Sequence, residues 1–156
     1  MAKIKLALID FDGVLTNNKV TIHDGGSESV VCDKSDGVGL RMLKDKGIKS
    51  IIISSETSNI VGHRAKKLGI DFYQCVVDKL LMLQIIIKAE KVNIDEVAYI
   101  GNDVNDLGCM QVVGMPIAVQ NATCAVKAVA KHITKASGGD GAVREACEAI
   151  VRWNGS

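Results

Sequence analysis

Two aspartates near the start of the chain, Asp10 and Asp12, follow a run of apolar residues and precede Gly13. Side chains two residues apart in an extended segment point to the same side, so these carboxylates repel each other unless a cation lies between them. Solvated acids or turn formers would be the simpler interpretation, but a buried strand end rarely carries two unpartnered charges. The pair therefore predicts a cation site that could also supply a carboxylate nucleophile.

Polar residues also follow three later apolar runs. Ser54 follows Ile51–Ile53, and its hydroxyl, together with the N–H groups of a following helix, could bind an anion or simply cap that helix. Lys79 is expected in the first turn of a helix capped by Asp78, where its charge opposes the helix dipole unless a second anion favours it. A solvated lysine is the alternative. The last polar group consists of Asn102, Asp103 and Asp106, which could instead be capping residues.

These four groups together contain the parts of a phosphoryl-transfer site: a carboxylate nucleophile, oxygen ligands for a divalent cation, and two groups that could hold a phosphate. In an open parallel sheet, ligands bind at the carboxyl ends of the strands. The sequence therefore has to place all four groups at the same edge of one sheet.

The elements that could do this are short apolar runs, which predict buried strands, alternating with amphipathic segments, which predict helices. The predicted strands are 4–9, 48–53, 72–77, 97–100 and 116–119, and the predicted helices are 37–46, 59–68, 80–92, 105–113, 122–130 and 142–153. Strands 20–22 and 29–31, on either side of Gly25 and Gly26, predict a small hairpin. The alternation indicates an α/β fold, a Rossmann-like three-layer sandwich with a central parallel sheet.

The length of 156 residues predicts a single domain over 1–156, with a hairpin flap at about 17–32 and a C-terminal tail at about 137–156. Lys and Arg number 19 against 18 Asp and Glu, so no basic excess favours a nucleic acid as a partner. No long apolar stretch or signal peptide is present, and the five cysteines form no C-x-x-C pair. We expect a cytoplasmic protein that binds no membrane.

The chain resembles the phosphatases of the haloacid dehalogenase (HAD) superfamily. The segment Asp10–Thr16 (DFDGVLT), Ser54, Lys79 and the segment Gly101–Asp106 (GNDVND) occur in the order and spacing of that family. Further segments resemble the branch that lacks a cap domain and acts on keto-deoxy sugar acid phosphates: Ser35–Gly37, Arg64–Gly69, Val77–Lys79 and Gly138–Glu145. That branch includes the 3-deoxy-octulosonate 8-phosphate phosphatases and the nononate (sialic-acid-type) 9-phosphate phosphatases. A related module follows the catalytic domain of some acylneuraminate cytidylyltransferases.

The resemblance implies a role for each matching residue. Asp10 would attack phosphorus and form an aspartyl-phosphate, and Asp12 would act as the general acid and base. Mg²⁺ would be held by Asp10, by Asp12 through its carbonyl, and by the turn containing Asn102 and Asp103. Ser54 and Lys79 would bind the phosphoryl oxygens. Asn102 departs from the family pattern, which has an aspartate there, and a neutral amide should bind Mg²⁺ more weakly.

Substrate choice is expected to depend on a second set of residues: Ser55, Glu56, Arg64, Lys67 and Arg144. Glu56 occupies a position where the octulosonate phosphatases resemble one another in having arginine, whereas the nononate phosphatases resemble this chain, with Lys67 as a basic partner. A surface ion pair on a helix is the alternative. This comparison favours a nononate 9-phosphate, of the KDN or N-acetylneuraminate type, as substrate, with 3-deoxy-octulosonate 8-phosphate as the alternative.

The resemblance also implies a homotetramer, because a chain without a cap domain needs neighbours to exclude water from the site. The hairpins would pack together, and the Gly-rich C-terminal tail with Arg144 would reach a neighbouring site. Two other functions stay open. A non-catalytic oligomerisation module is favoured by Asn102 and opposed by the intact Asp10 and Asp12. A receiver domain also uses acids, a hydroxyl and a lysine around Mg²⁺, but it carries its phosphoacceptor on the third strand.

Overall fold

The computed structural model describes residues 1–156 and is built around one six-stranded parallel sheet. The strands are β1 (Leu6–Ile9), β2 (Thr21–Ile22), β3 (Glu28–Ser29), β4 (Lys49–Ile53), β5 (Asp71–Tyr73), β6 (Val97–Gly101), β7 (Met115–Ala118) and β8 (His132–Ile133). The helices are α1 (Ser35–Asp45), α2 (Ile60–Leu68), α3 (Lys79–Glu90), α4 (Leu107–Met110), α5 (Cys124–Val129) and α6 (Ala142–Gly155). The strand order in the main sheet is β5-β4-β1-β6-β7-β8.

Strand β1 lies at the centre of the sheet, and its four residues are all buried. Leu8 pairs with Ile51 of β4 on one side and with Tyr99 of β6 on the other. Because a central parallel strand is covered by helices on both faces, it has no solvent-facing side, and its sequence is therefore apolar throughout. The same reason accounts for the apolar character of β4 and β6.

The helices form a layer on each face of the sheet. α1 packs against α6, and Leu68 at the end of α2 lies beside α1, whereas α3, α4 and α5 contact one another in turn. Right-handed crossovers place these two groups on opposite faces of the sheet. One core of 38 buried apolar residues joins the layers. The three-layer α/β fold without a cap domain, predicted from the sequence, is confirmed. None of the helices has the length and apolar character that a membrane span requires.

Several predicted bounds differ from the structure. The predicted helix 105–113 is wrong at both ends, because the chain makes a 3₁₀ turn over Val104–Asp106 and α4 then lasts only four residues. The predicted strand 72–77 is shorter in the structure, where β5 covers Asp71–Tyr73. Each strand of the hairpin has two residues rather than the predicted three. Strand β8 was not predicted, because a two-residue edge strand has too few residues to show a period.

The C-terminal segment packs on its own chain. Gly139 N–H donates to the Val14 carbonyl, and Gly138 N–H donates to Asn121 Oδ1, so this turn lies against the loop that follows β1. α6 then buries six residues, including Ala146 and Ile150, in the core. The apolar face of α6 is therefore buried within its own chain, and a contact between the polar residues of this tail and a neighbouring site stays a prediction.

Candidate active site

The predicted polar residues converge at the carboxyl edge of the parallel sheet. Asp10 follows β1, Ser54 follows β4, and Asn102 follows β6. These three strands are neighbours in the order β4-β1-β6, so their ends lie side by side. Lys79 enters the same region as the first residue of α3. This is the edge at which open α/β sheets bind their ligands.

Lys79 joins the acids after β1 and β6 in a buried ion network. Its Nζ lies 2.8 Å from Asp10 Oδ1 and 2.9 Å from Asp106 Oδ1. Asp78 caps α3 by accepting from Leu81 N–H, as predicted. A cation in this first turn opposes the helix dipole, and the two carboxylates supply the anions that its position requires.

Asp106 is the residue that holds the network in place. It is fully buried, and Oδ1 accepts from Lys79 and from the Tyr99 hydroxyl, the latter at 2.7 Å. Its Oδ2 accepts from the backbone N–H groups of Asn102 and Asp103. The sequence placed Asp106 in the last polar group, with capping as the alternative, and assigned it no role in catalysis or metal binding. Tyr99 could not be recognised from the sequence as part of this network, because it lies within an apolar strand.

Burial changes the protonation of this network. Burial and the nearby Asp106 charge raise the pKa of Asp10 to about 8, although Lys79 opposes the shift. The two carboxylates raise the pKa of Lys79 against the effect of its own burial, so the lysine stays cationic. Burial also raises the pKa of Tyr99, which keeps its hydroxyl a donor. A cation beside Asp10 would favour its ionised form.

The side chain of Asn102 lies against two oxygen atoms of the first loop. With its amide nitrogen toward them, it donates to Asp10 Oδ2 at 3.0 Å and to the Asp12 carbonyl at 3.1 Å. Rotation of the amide by half a turn brings Oδ1 to the same place, so that three oxygens converge. Carboxylate, carbonyl and amide oxygens are the ligands that Mg²⁺ accepts, and these residues therefore fit the predicted metal.

Gly13 makes this approach possible. Its φ is +79°, which only glycine adopts without strain, and a Cβ at this position would overlap the Asn102 amide. Thr16 fixes the same loop, because its hydroxyl accepts from the N–H groups of Gly13 and Asn18. Thr16 is buried and was recognised only as the end of a motif.

Asp103 does not join the oxygen cluster. Its side chain is exposed and accepts from Val104 N–H, which makes it the cap of the 3₁₀ turn. The structure does not bring its carboxylate to the oxygen cluster, because that group is engaged at the cap while Asn102 lies against the first loop, and its role as a metal ligand stays a prediction. Asn102 is therefore the residue of this turn that can reach a metal held by Asp10.

Asp12 presents its side chain to a cavity of about 270 Å³ beside the hairpin. The cavity is also lined by Lys19, Glu28 and Glu56. Partial burial and the Glu56 charge raise the pKa of Asp12, and Lys79 opposes the shift. A raised pKa favours the protonated form, which a general acid requires.

Ser54 is buried, but the segment that follows it differs from the prediction. Its Oγ accepts from Glu56 N–H at 3.1 Å, and α2 begins only at Ile60. The expected anion cup at a helix N-terminus is therefore wrong, because a loop separates Ser54 from the helix. Glu56 Oε1 holds this loop by accepting from the N–H groups of Thr57 and Ser58.

The remaining predicted residues lie farther from the ion network. Ser55 is exposed on the same loop, and Arg64 donates to the Asp33 carbonyl. Arg64 and Lys67 line an adjoining cavity between the hairpin and α2, and Lys67 forms no ion pair with Glu56, which corrects the expected pairing. Lys67 lies in the last turn of α2, whereas Glu56 lies in the loop that precedes this helix.

Arg144 lies at the junction of α1 and α6. Its Nε is 2.6 Å from Glu148 Oε1, and its backbone N–H donates to Asp36. The structure therefore does not bring Arg144 to the site of its own chain. The i,i+4 spacing of Arg144 and Glu148 was the signal for this pairing.

The model of the haloacid dehalogenase-like hydrolase family matches residues 40–145. The chain belongs to this family. It is 34% identical over 151 residues to the 3-deoxy-D-manno-octulosonate 8-phosphate phosphatase KdsC of Yersinia pestis, covering 96% of this chain and 81% of that protein.

Two solved structures share the fold and contain metal ions. The 3-deoxy-D-manno-octulosonate 8-phosphate phosphatase of Moraxella catarrhalis, in complex with magnesium, phosphate and KDO, superposes with a TM-score of 0.92 at 39% identity, covering 96% of this chain and 86% of that one. The cobalt-bound deoxy-D-mannose-octulosonate 8-phosphate phosphatase of Haemophilus influenzae gives a TM-score of 0.92 at 32% identity, covering 98% and 90%.

These comparisons confirm two predictions from the sequence. The protein is an enzyme of a hydrolase family whose relatives are named as phosphatases, and magnesium is the cofactor of such enzymes. The relatives named above are octulosonate phosphatases, so they favour the alternative substrate over the nononate that Glu56 and Lys67 suggested. They leave the homotetramer and the individual residue roles as predictions.

Proposed function

We propose that this protein is a magnesium-dependent phosphomonoesterase that acts on a keto-deoxy sugar acid phosphate, with 3-deoxy-octulosonate 8-phosphate as the preferred substrate. The observation that carries the reaction is the buried Asp10–Lys79–Asp106 network beside the oxygens of Asp12 and Asn102. The substrate class is supported by the relatives, which share at least 31% identity over most of this chain.

In the first step, an Asp10 carboxylate oxygen forms a bond to phosphorus as the bond to the sugar oxygen breaks. Asp12 transfers its proton to the departing oxygen, so that a neutral sugar hydroxyl leaves. The product on the enzyme is an aspartyl-phosphate on Asp10. Lys79 holds Asp10 in place and balances charge on the phosphoryl group.

In the second step, Asp12 is a carboxylate and accepts a proton from water. The water oxygen attacks phosphorus, the bond from phosphorus to Asp10 breaks, and phosphate leaves. Asp12 then carries a proton again, ready for the next turnover. The Ser54 hydroxyl and the Ser55 backbone N–H would hold the phosphoryl oxygens during both steps.

Mg²⁺, when bound, would supply positive charge to the phosphoryl oxygens and favour the ionised nucleophile. The residues that would hold it are Asp10, the Asp12 carbonyl and Asn102. The Asn102 amide lies 3.0 Å from Asp10 Oδ2 and 3.1 Å from the Asp12 carbonyl oxygen, and oxygen atoms of these three types are the ligands that a small hard cation accepts.

A nononate 9-phosphate is the second candidate, and Glu56 is the observation that favours it. Glu56 lines the cavity beside Asp12, and Oε1 alone is engaged by the loop, so Oε2 can accept from a sugar hydroxyl. If this contact selects the longer sugar, Glu56→Ala should lower kcat/KM for that sugar by about ten- to a hundredfold. It should change p-nitrophenyl phosphate hydrolysis little, because that ester has no such hydroxyl.

The decisive experiment measures phosphate release from 3-deoxy-octulosonate 8-phosphate, nononate 9-phosphates and p-nitrophenyl phosphate, with and without Mg²⁺. We expect the highest kcat/KM for the eight-carbon substrate and no turnover by Asp10→Asn, with the fold checked by circular dichroism. Mg²⁺-dependent turnover by a folded Asp10→Asn protein would refute the mechanism. A higher kcat/KM for a nine-carbon substrate would refute the substrate choice alone.

A further inference from the structure

A third cavity lies between α1 and α2, and Lys67 lines both this cavity and the one between the hairpin and α2. The third cavity has a volume of about 290 Å³ and is bordered by the first residues of β4 and β5. Because Ser54 follows the opposite end of β4, the cavity is at the amino edge of the sheet and shares no space with the catalytic cavity. The mechanism proposed above makes no use of it.

The charged side chains around this cavity are mostly cationic. Arg41 and Lys44 come from α1, Lys67 from α2 and Lys49 from β4, whereas Asp71 is the acid among the lining residues. Lys49 is neutralised, with its Nζ 2.9 Å from Asp71 and 2.7 Å from Glu90. The other three cations have no carboxylate partner within ion-pair distance. Three uncompensated charges therefore surround one concave space.

Ser50 gives this space a buried polar group. It is the one polar residue among the buried positions of β4, it is 6% exposed, and it lines the cavity. Its hydroxyl has no hydrogen-bond partner within the protein. A buried hydroxyl without a partner is costly, and residues in such a strand are normally apolar. A ligand in the cavity would supply the missing partner.

We propose that this cavity binds a small polyanion, such as a phosphate ester, distinct from the catalytic substrate. Arg41, Lys44 and Lys67 provide the charge, and Ser50 provides a donor at the floor of the cavity. Charge-assisted contacts of this kind are stronger than neutral ones, and phosphate oxygens accept several at once. The volume suits a molecule with a few non-hydrogen atoms rather than a polymer.

The test uses inorganic pyrophosphate as the probe, in buffer with EDTA so that no Mg²⁺ supports binding at the catalytic edge. Calorimetry measures the dissociation constant, and ¹H–¹⁵N spectra locate the site. We expect the largest shifts at the amides of Ser50 and Gly69. The double variant Arg41→Gln/Lys44→Gln should weaken binding by at least about tenfold, and Ser50→Ala should weaken it as well.

The control is Lys3→Gln/Lys88→Gln, which removes the same charge from exposed lysines outside the cavity. It should change the dissociation constant by less than about twofold, since distant exposed charges are screened. Three results would overturn the proposal: no binding at millimolar pyrophosphate, equal weakening in both double variants, or shifts confined to the amides around Asp10 and Asn102.

Discussion

Asn102 and Asp106 lie in the turn that follows β6, and their side chains have different roles. Asp106 accepts four hydrogen bonds and fixes Lys79, Tyr99 and the turn itself. That leaves the side chain of Asn102 free to lie against Asp10 and the Asp12 carbonyl. A neutral amide suits this place when no cation is present, because it can donate to both oxygens instead of repelling them.

The first prediction is that Asn102→Asp tightens Mg²⁺ binding and destabilises the metal-free protein. A full charge beside Asp10 attracts the cation but repels the carboxylate without it. We expect the Mg²⁺ concentration for half-maximal activity to fall by about tenfold. The melting temperature should rise more on Mg²⁺ addition than it does in the wild type, because ligand binding stabilises the folded state.

Asn105→Asp is the control for this change, since Asn105 is exposed on the same turn and gains the same charge. It should shift neither measurement appreciably. An unchanged or higher Mg²⁺ requirement in Asn102→Asp would show that Asn102 does not contact the metal.

At the scale of the elements, the sequence predicted most of what positions the site. The apolar runs of β1, β4 and β6 determined the sheet, and Lys79 in the first turn of α3 required an anion that proved to be Asp10 with Asp106. The role of Asp106 could not be assigned from the sequence, because an aspartate that caps a helix and one that forms a buried ion pair occur at the same position after a strand. Strand β8 was too short to recognise, and the loop after Ser54 replaced an expected helix start.

The junction of α1 and α6 supports a second prediction, on pH. Asp36 is buried, Oδ1 accepts from Arg144 N–H, and Oδ2 has no partner. Burial raises the pKa of Asp36 from 3.8 to about 6. The unfolded chain loses this proton near pH 4, whereas the folded protein keeps it to about pH 6. The associated stability is therefore fully present below pH 4 and is lost as the pH rises through 6.

Asp36→Asn keeps an acceptor for Arg144 N–H and removes the ionisation. The wild type loses this stability as Asp36 ionises, whereas the variant does not. We expect the free energy of unfolding of the variant, relative to that of the wild type, to increase by about 1–3 kcal/mol from pH 4 to pH 8, as about two pKa units imply. Urea unfolding at several pH values measures the difference. Asp45→Asn, exposed on the same helix, should follow the wild-type curve. Parallel curves for Asp36→Asn and wild type would contradict the assignment.

The Gly-rich turn before α6 supports a third prediction. A Cβ at Gly138 would overlap the Gly13 carbonyl oxygen, so Gly138→Ala must displace the loop that carries Asp10 and Asp12. Overpacking of this kind costs about 1–3 kcal/mol. We expect both a lower free energy of unfolding and a lower kcat. Gly155→Ala, where a Cβ meets nothing within 4 Å, is the control. Normal kcat in Gly138→Ala would show that the turn does not support the loop.

At the scale of the whole molecule, the hairpin is the element that does not pair with the strands of the main sheet. β2 and β3 form their own two-stranded sheet, separate from the main one. A lone hairpin is marginally stable in water. Three of its apolar side chains are largely exposed: Val20, Ile22 and Val31. The hairpin also borders the catalytic cavity, which one chain leaves open to water.

These features agree with the homotetramer that the family resemblance implies, in which hairpins of neighbouring chains pack together. Ile22 is 71% exposed at the hairpin and is the strongest candidate for burial between chains. We predict that the wild-type protein sediments as a tetramer and that Ile22→Lys dissociates it, because burying an unpaired charge costs several kcal/mol. Val112→Lys adds the same charge at an exposed apolar position outside the hairpin and should leave the tetramer intact. The dissociated variant should also lose kcat/KM on the sugar phosphate, since its cavity stays open to water. A monomeric wild type, or equal dissociation of the tetramer by both variants, would show that the hairpin does not form the contacts between chains.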